Sequence, residues 1–363
     1  MLKGLKKFVV RMMAGANIVT IVMMFLVGQA GHLSPAEHPM LTNAGLVFPV
    51  FLLINMAFLI FWLLFYWKGA LLAIAGYLIC YSSLRVYFPL NRMEAPPEDA
   101  IKVMTYNVCR YGKGMIERDG ANPILEYIKQ SGAAIVCLQE ANSGLISQED
   151  ARKELSSVYA YSDTAVLRYS SNTLAIYSKY PIVGKQRIDY DSKWNLSAAF
   201  QLLIDGDTVL VVNNHLETNK MFETEQERFK KMLKGEENRK EAVSTSRLLI
   251  DRLAEAAVIR QPEARAVAAY LRMHEGVPAI VCGDFNDNPL SFARRTIADG
   301  LTDCYVATGL GPGWSYNKSN MYVRIDNLMC TSHWQPYRCT VDRKIKASDH
   351  YPMYCWLKKR PKH

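Results

Sequence analysis

The stretch "AIVCGDFND" (residues 279–287) changes character halfway along. Ala279 to Cys282 are apolar, a run short enough to be a strand buried on both faces rather than a helix. Asp284, Asn286 and Asp287 follow almost at once. Carboxylates and amides are expensive to bury unless they are paired or bind something. A buried strand that stops on such residues feeds either a structural polar network or a pocket.

The same pattern recurs on both sides of this stretch. "VMTYN" ends on Asn107, "IVCLQE" on Glu140 and "LVVNNH" on His215. "YVRID" carries Asp326, and "ASDH" brings Asp349 and His350 to the mouth of the last alternating run, "YPMYCWL". One such residue means little, but the set points to a single convergent pocket. Glu and Asp oxygens suit a hard cation such as Mg²⁺, which keeps several waters and uses only one or two protein carboxylates. The chain has no C-x-x-C and no His/Cys cluster with zinc spacing. An Asp–His pair handles protons, the carboxylate fixing the imidazole tautomer. These residue types together fit the hydrolysis of a phosphate ester.

Strand-like runs, "TLAIYS" and "YRCTVD" among them, alternate with helical patterns at residues 123–131, 223–275 and 290–298. "DGD" (residues 205–207) joins two strand runs and signals a hairpin. The alternation predicts a mixed α/β domain. Within it, residues 223–242 are dense in charge and read as a solvated helix or insertion. Cys330 and Cys339 are spaced to face each other across a hairpin, where a disulfide could join them.

The first part of the chain differs in kind. Between residues 12 and 90 the charged residues are Glu37, Lys68 and Arg85. Three apolar stretches, residues 12–30, 44–67 and 69–84, are candidate membrane spans, the third a short one. Trp62, Tyr66 and Trp67 sit where an interfacial aromatic belt belongs. Lys3, Lys6, Lys7 and Arg11 precede the first stretch, whereas the loop after it has no Lys or Arg. This bias places the N-terminus inside and everything after the third stretch on the non-cytoplasmic side. The alternative for the first stretch is a signal peptide with "GQAG" as its cleavage region, which leaves the remaining topology unchanged. "NRMEAPPEDA" reads as a linker. The expected organisation is a membrane anchor over residues 1–90, a linker over 91–100 and a catalytic domain over 101–363.

Charge follows the same division. Of the formal +9, residues 1–92 account for +6 and the remainder for +3. The excess flanks apolar segments, so the catalytic domain lacks the dense basic stripe of a nucleic-acid binder.

In this order, "TYNV", "LQE", "NNHL", "GDFND", "RID" and "SDHYP" resemble the motifs of the endonuclease/exonuclease/phosphatase superfamily, which includes deoxyribonuclease I and neutral sphingomyelinases. The resemblance implies a four-layer α/β sandwich, two packed β-sheets flanked by helices, here preceded by three transmembrane helices. It implies Mg²⁺, or Mn²⁺ in its place, held by Glu140 as principal ligand with Asn107 and Asp349. Asp284 and Asn286 would orient the attacking water and hold the phosphate. His350, partnered by Asp326, would contact the phosphoryl group, and His215 would be a second phosphate contact or the acid for the leaving group. Asn327 departs from the aromatic residue often found there, and Trp314 is a candidate boundary of the substrate pocket. The implied activity is a membrane-anchored phosphoesterase acting on nucleic acid, a lipid headgroup or a small phosphoester. The rival is a non-catalytic anchored module that binds a phosphorylated partner.

Overall fold

The computed structural model describes residues 2–114, 121–142, 145–167, 172–219, 223–318 and 321–361. Its strands are β1 (Ile101–Asn107), β2 (Ile135–Gln139), β3 (Tyr161–Val166), β4 (Thr173–Ser178), β5 (Ile182–Ile188) and β6 (Leu196–Ile204). Then come β7 (Asp207–His215), β8 (Ala279–Asp284), β9 (Thr302–Asp303), β10 (Asp326–Cys330), β11 (Trp334–Val341) and β12 (Met353–Lys359). They form two six-stranded sheets, ordered β11-β12-β1-β2-β4-β3 and β5-β6-β7-β8-β10-β9. Each has one parallel pair near its centre, β1 with β2 and β7 with β8, and antiparallel pairs elsewhere.

The sheets pack face to face through Val103, Ile135, Leu174, Phe200, Val211, Ile280 and Leu328, all with no exposed surface. This doubly covered core is why the central strands read as unbroken apolar runs. The β6–β7 hairpin turns on Asp205 and Gly206, both at positive φ, as "DGD" predicts.

The helices are α1 (Leu2–Gly28), α2 (Phe48–Phe65), α3 (Ala70–Ile79), α4 (Tyr81–Tyr87), α5 (Cys109–Gly114), α6 (Pro123–Gln130) and α7 (Gln148–Leu155). They continue with α8 (Glu223–Leu233), α9 (Arg239–Met273), α10 (Phe292–Ile297) and α11 (Cys304–Thr308). Ile124, Leu125 and Ile128 of α6 and Leu155 of α7 cover one sheet. Ala264, Val267 and Tyr270 of α9, with Ala293 and Ile297 of α10, cover the other. The result is the expected four-layer sandwich.

Sequence and structure differ in three places. The helical pattern over residues 223–275 is two helices, because Asn238 and Glu241 cap a fresh start at α9 reciprocally. Cys330 and Cys339 are free and lie on β10 and β11, in different sheets, so no hairpin brings them opposite each other. Cys330 Sγ lies 3.8 Å from Cys304 Sγ instead. The third apolar stretch is a helix pair bent by 69°.

Two helices, Gly4–His32 and Ala44–Phe65, are long and apolar enough to cross a membrane, and the bent pair would make a third span. Polar side chains tie them together. Asn17 donates to Asn55 at 2.9 Å, and Trp62 Nε1 donates to Asn17 at 3.0 Å, all three buried. Interhelical hydrogen bonds of this kind hold helices where lipid offers no hydrophobic drive.

The apolar helices are joined directly to the sandwich. Leu290 packs with Met24, Val27, Phe48 and Tyr87. Gly31 approaches the carbonyls of Leu290 and Ser291 so closely that an added Cβ would lie 2.7 Å from the first. Buried Arg324, over the Tyr305 ring, donates to the carbonyls of Pro312 and of Val86 in α4.

Candidate active site

Strand register brings the polar residues to one edge. β1, β2, β7 and β8 run so that Asn107, Glu140, His215 and Asp284 fall at or just beyond their C-terminal ends. Asp284 pairs in register with His215 on one side and Asp326 on the other. β12 runs antiparallel to β1, so the segment before it returns past Asn107. There Ser348 donates to the Asn107 carbonyl at 2.8 Å and accepts from the His350 amide at 3.1 Å.

Asp284 lies at the centre. Its Oδ2 accepts from Asn107 Nδ2 at 3.0 Å across the gap between sheets, and its Oδ1 accepts from the Asn286 amide at 2.8 Å. His215 Nε2 stands 3.8 Å from Asp284 and 3.8 Å from Glu140, and His350 Nε2 stands 3.7 Å from Asp284. His350 Nδ1 bonds Asp326 Oδ2 at 2.9 Å. Asn107 Nδ2 also donates to Glu140 at 3.2 Å. The sequence-derived set therefore converges, with two qualifications. Asn286 spends its side-chain amide on the Leu216 carbonyl at 2.9 Å. Asp349 sits at the half-exposed rim, 3.7 Å from Lys318.

The two histidines are held in different states. Asn172 Nδ2 donates to His215 Nδ1 at 2.7 Å, which leaves the ring proton on Nε2. Burial lowers the pKa of His215, so it is a neutral donor. Burial also disfavours charge on His350, but the Asp326 and Asp284 carboxylates outweigh it and hold His350 up to about 10, an imidazolium. Burial pushes Asp284 up to about 6, so it is mostly ionised at neutral pH. Glu140 is raised by burial and, less strongly, by the Asp349 charge.

Among the buried side-chain atoms that have no hydrogen-bond partner in the described residues are His215 Nε2 and Asp326 Oδ1. Unmet donors and acceptors on the walls of one space are expected where a ligand completes the set. Asp284, Asp326 and His350 are close enough to hold a metal ion. The Asp326–His350 bond already occupies one atom of each, however, and favours proton handling there. Glu140 and Asp349 offer carboxylate oxygens, whose mutual repulsion a hard cation relieves, while Asn107 Oδ1 accepts from the Cys109 amide at 3.0 Å and keeps one further lone pair.

Several site residues escaped the sequence analysis. Tyr316 packs edge-on against His350, ring centroids 5.2 Å apart, and Lys318 faces Asp349. Asn172 sets the His215 tautomer, while Gln139 and Asn213 join across the sheets at 2.6 Å. Buried Arg260 from α9 donates to the Asn286 carbonyl and lies 3.6 Å from Asp287. Trp314 stacks on Tyr322 at 5.4 Å, with Arg343 over its ring.

Residues 104–350 match the model of the Endonuclease/Exonuclease/phosphatase family, and residues 8–87 match a model described as a domain of unknown function. Among solved structures, the chain is similar to an endonuclease/exonuclease/phosphatase from Beutenbergia cavernae. The two are 17% identical, with a TM-score of 0.51 over 72% of each chain. It is also similar to the human Nocturnin catalytic domain with bound sulfate, at 14% identity and a TM-score of 0.50. That match covers 74% of this chain and 97% of the other. At these identities the likeness is one of fold. No curated protein matches.

Proposed function

The chain belongs to the endonuclease/exonuclease/phosphatase family, whose members are generally phosphoester-hydrolysing enzymes, and from that premise we propose that it is a membrane-anchored, Mg²⁺-dependent phosphoesterase. Residues 1–90 are the anchor, 91–100 the linker and 101–363 the catalytic domain. The observation that carries the reading is the pair of histidines whose Nε2 atoms stand 3.8 and 3.7 Å from one buried aspartate, with Nδ1 of one on the Asn172 amide and Nδ1 of the other on the Asp326 carboxylate. A structural polar network has no need of that asymmetry; an in-line displacement at phosphorus does.

Ionised Asp284, held by the Asn286 amide, orients a water and takes its proton as the oxygen attacks phosphorus. His350, kept cationic by Asp326, neutralises the phosphoryl oxygens. His215 hydrogen-bonds from Nε2 to a phosphoryl or leaving oxygen; the ester P–O bond opposite the attacking water breaks, and the proton taken up by Asp284 balances the one the leaving oxygen acquires from solvent. Asn107, Glu140 and Asp349 would hold Mg²⁺, which when bound supplies positive charge against the phosphoryl group. The substrate is a phosphodiester or phosphomonoester, with lipid headgroup, nucleic acid and small phosphoesters as its classes.

The test is metal-dependent hydrolysis by the full chain in detergent. Simple mono- and diesters, phospholipid, RNA and DNA would be offered with Mg²⁺, Mn²⁺ or chelator. His350→Ala is expected to lower kcat roughly 10²–10⁴-fold. Glu140→Gln is expected to weaken Mg²⁺ binding measured by calorimetry. Tight binding of phosphoesters with no turnover in any metal would favour a binding module and defeat the proposal.

A further inference from the structure

The apolar helices do not close completely against the sandwich. Between the C-terminal end of α1, α4 and residues 289–295 lies a cavity of about 190 Å³. Its polar lining includes His32, Ser82, Ser83, Arg294 and Arg295, and among the described residues no Asp or Glu takes part. Ser83 is spent on the Gly28 carbonyl at 3.0 Å. Arg294 is 8% exposed, and its Nε and Nη2 are matched by Asp303. Arg295 differs, being exposed with no ion pair among the described residues. His32 uses Nδ1 on the Gln29 carbonyl, which leaves Nε2 available. Ser82 is exposed beside them.

A wall with an unmatched guanidinium and no carboxylate suits an anion, and the planar fork of Arg fits phosphate oxygens. The volume is below that of a pocket for a whole drug-sized molecule, so it suits a charged head whose remainder lies outside. The position in the chain says what that remainder is. The cavity lies at the ends of the apolar helices, and the preceding turns expose Phe25, Leu26, Ile79 and Tyr81. In a bilayer such side chains meet acyl chains, and the helix ends lie at headgroup depth.

We propose that this cavity binds the phosphate headgroup of an anionic phospholipid. The proposal rests on the anchor reading and is independent of hydrolysis. Its wall begins at Pro289, three residues after Asn286, so a bound lipid braces the segment that follows the catalytic loop.

The test uses the full chain in nanodiscs of phosphatidylcholine, alone or mixed with phosphatidylglycerol, and native mass spectrometry of lipid retained on release. Wild type should retain phosphatidylglycerol preferentially and melt at higher temperature in the mixed discs. Arg295→Gln should cut that preference about tenfold, the loss of one charge-assisted bond to phosphate. Arg272→Gln, at the far end of α9, should leave it intact. Equal retention of the two lipids by wild type, or an undiminished preference in Arg295→Gln, would overturn the proposal. Equal stabilisation by soluble glycerol phosphate would make the cavity a free-phosphate site and overturn the lipid assignment. A chain that does not enter nanodiscs would remove the anchor reading and this inference together.

Discussion

Glu140 and Asn286 both hold left-handed backbone, each at φ 53°. For residues with a Cβ that conformation costs roughly 1–2 kcal/mol. Outliers of this kind persist where surrounding structure over-determines them, and they gather at functional sites. Here each bends the chain just past a strand end and delivers a site residue. A third costly residue lies on α9. Glu263 on α9 is fully buried and accepts from the Glu217 amide at 2.7 Å. Burial pushes its carboxyl up to about 7, against the pull of that amide. The unfolded chain gives up the same proton near the ordinary glutamate pKa of about 4.3. The folded state therefore binds more protons between those values, and stability from this group is full at low pH and falls as pH rises to about 7. The loss is about 4 kcal/mol at most. Glu263→Gln should melt above wild type at pH 8, and the gap should close towards pH 5. Melting curves that shift in parallel at every pH would show that the carboxyl is not carrying a proton into the fold.

Among the elements, β8 and the loop after it carry the most constraint. Gly283 has φ 129°, and an added Cβ would lie 2.0 Å from the Asn214 carbonyl, so only glycine fits between the strand and its β7 neighbour. Arg260 then grips the loop from α9 through the Asn286 carbonyl, Asn219 and Asp287. Arg260→Ala leaves Asp287 buried beside no cation, which should cost about 3–5 kcal/mol. Calorimetric melting would measure that. If the loop is held by this residue, kcat should fall as well while Mg²⁺ affinity stays near wild type. Unchanged melting would mean that Leu290 and the apolar helices suffice. These elements were legible in the sequence to different degrees. β1, β2, β7 and β8 are covered on both faces, so their apolar runs and polar ends stand out. β5 is largely exposed, β3 only partly covered, and both carry charges, so neither offers such a run. Tyr316 and Lys318 lie on a loop without periodicity, and their link to His350 and Asp349 exists only once the chain has folded.

For the whole molecule, the sheet edge that carries the candidate site and the apolar helices form one connected structure. Arg324 bonds α4 two residues before Asp326, and Leu290 enters the helix cluster four residues after Asn286. Two site loops are thus braced by the part of the chain that the Lys/Arg bias would fix in a membrane. Leu53, Leu64, Leu71 and Leu78 are each more than 60% exposed, a surface that water tolerates poorly and lipid accepts. Orientation then decides which phosphoesters the site can meet. The clustered Lys6, Lys7 and Arg11 at the start of α1, ahead of the apolar stretch 12–30, predict a cytoplasmic N-terminus and an external catalytic domain. A protease site inserted between α8 and α9, at residues 234–238, reports this directly. Right-side-out vesicles should be cleaved by added protease, and inverted vesicles should resist until detergent opens them. The reverse pattern would place the site in the cytosol and make Arg85 and Arg92 part of the topology signal. With the expected result, cytosolic phosphate esters are out of reach. The substrate must then come from the outer leaflet or from outside the membrane, and a site braced by the anchor is placed to take it there.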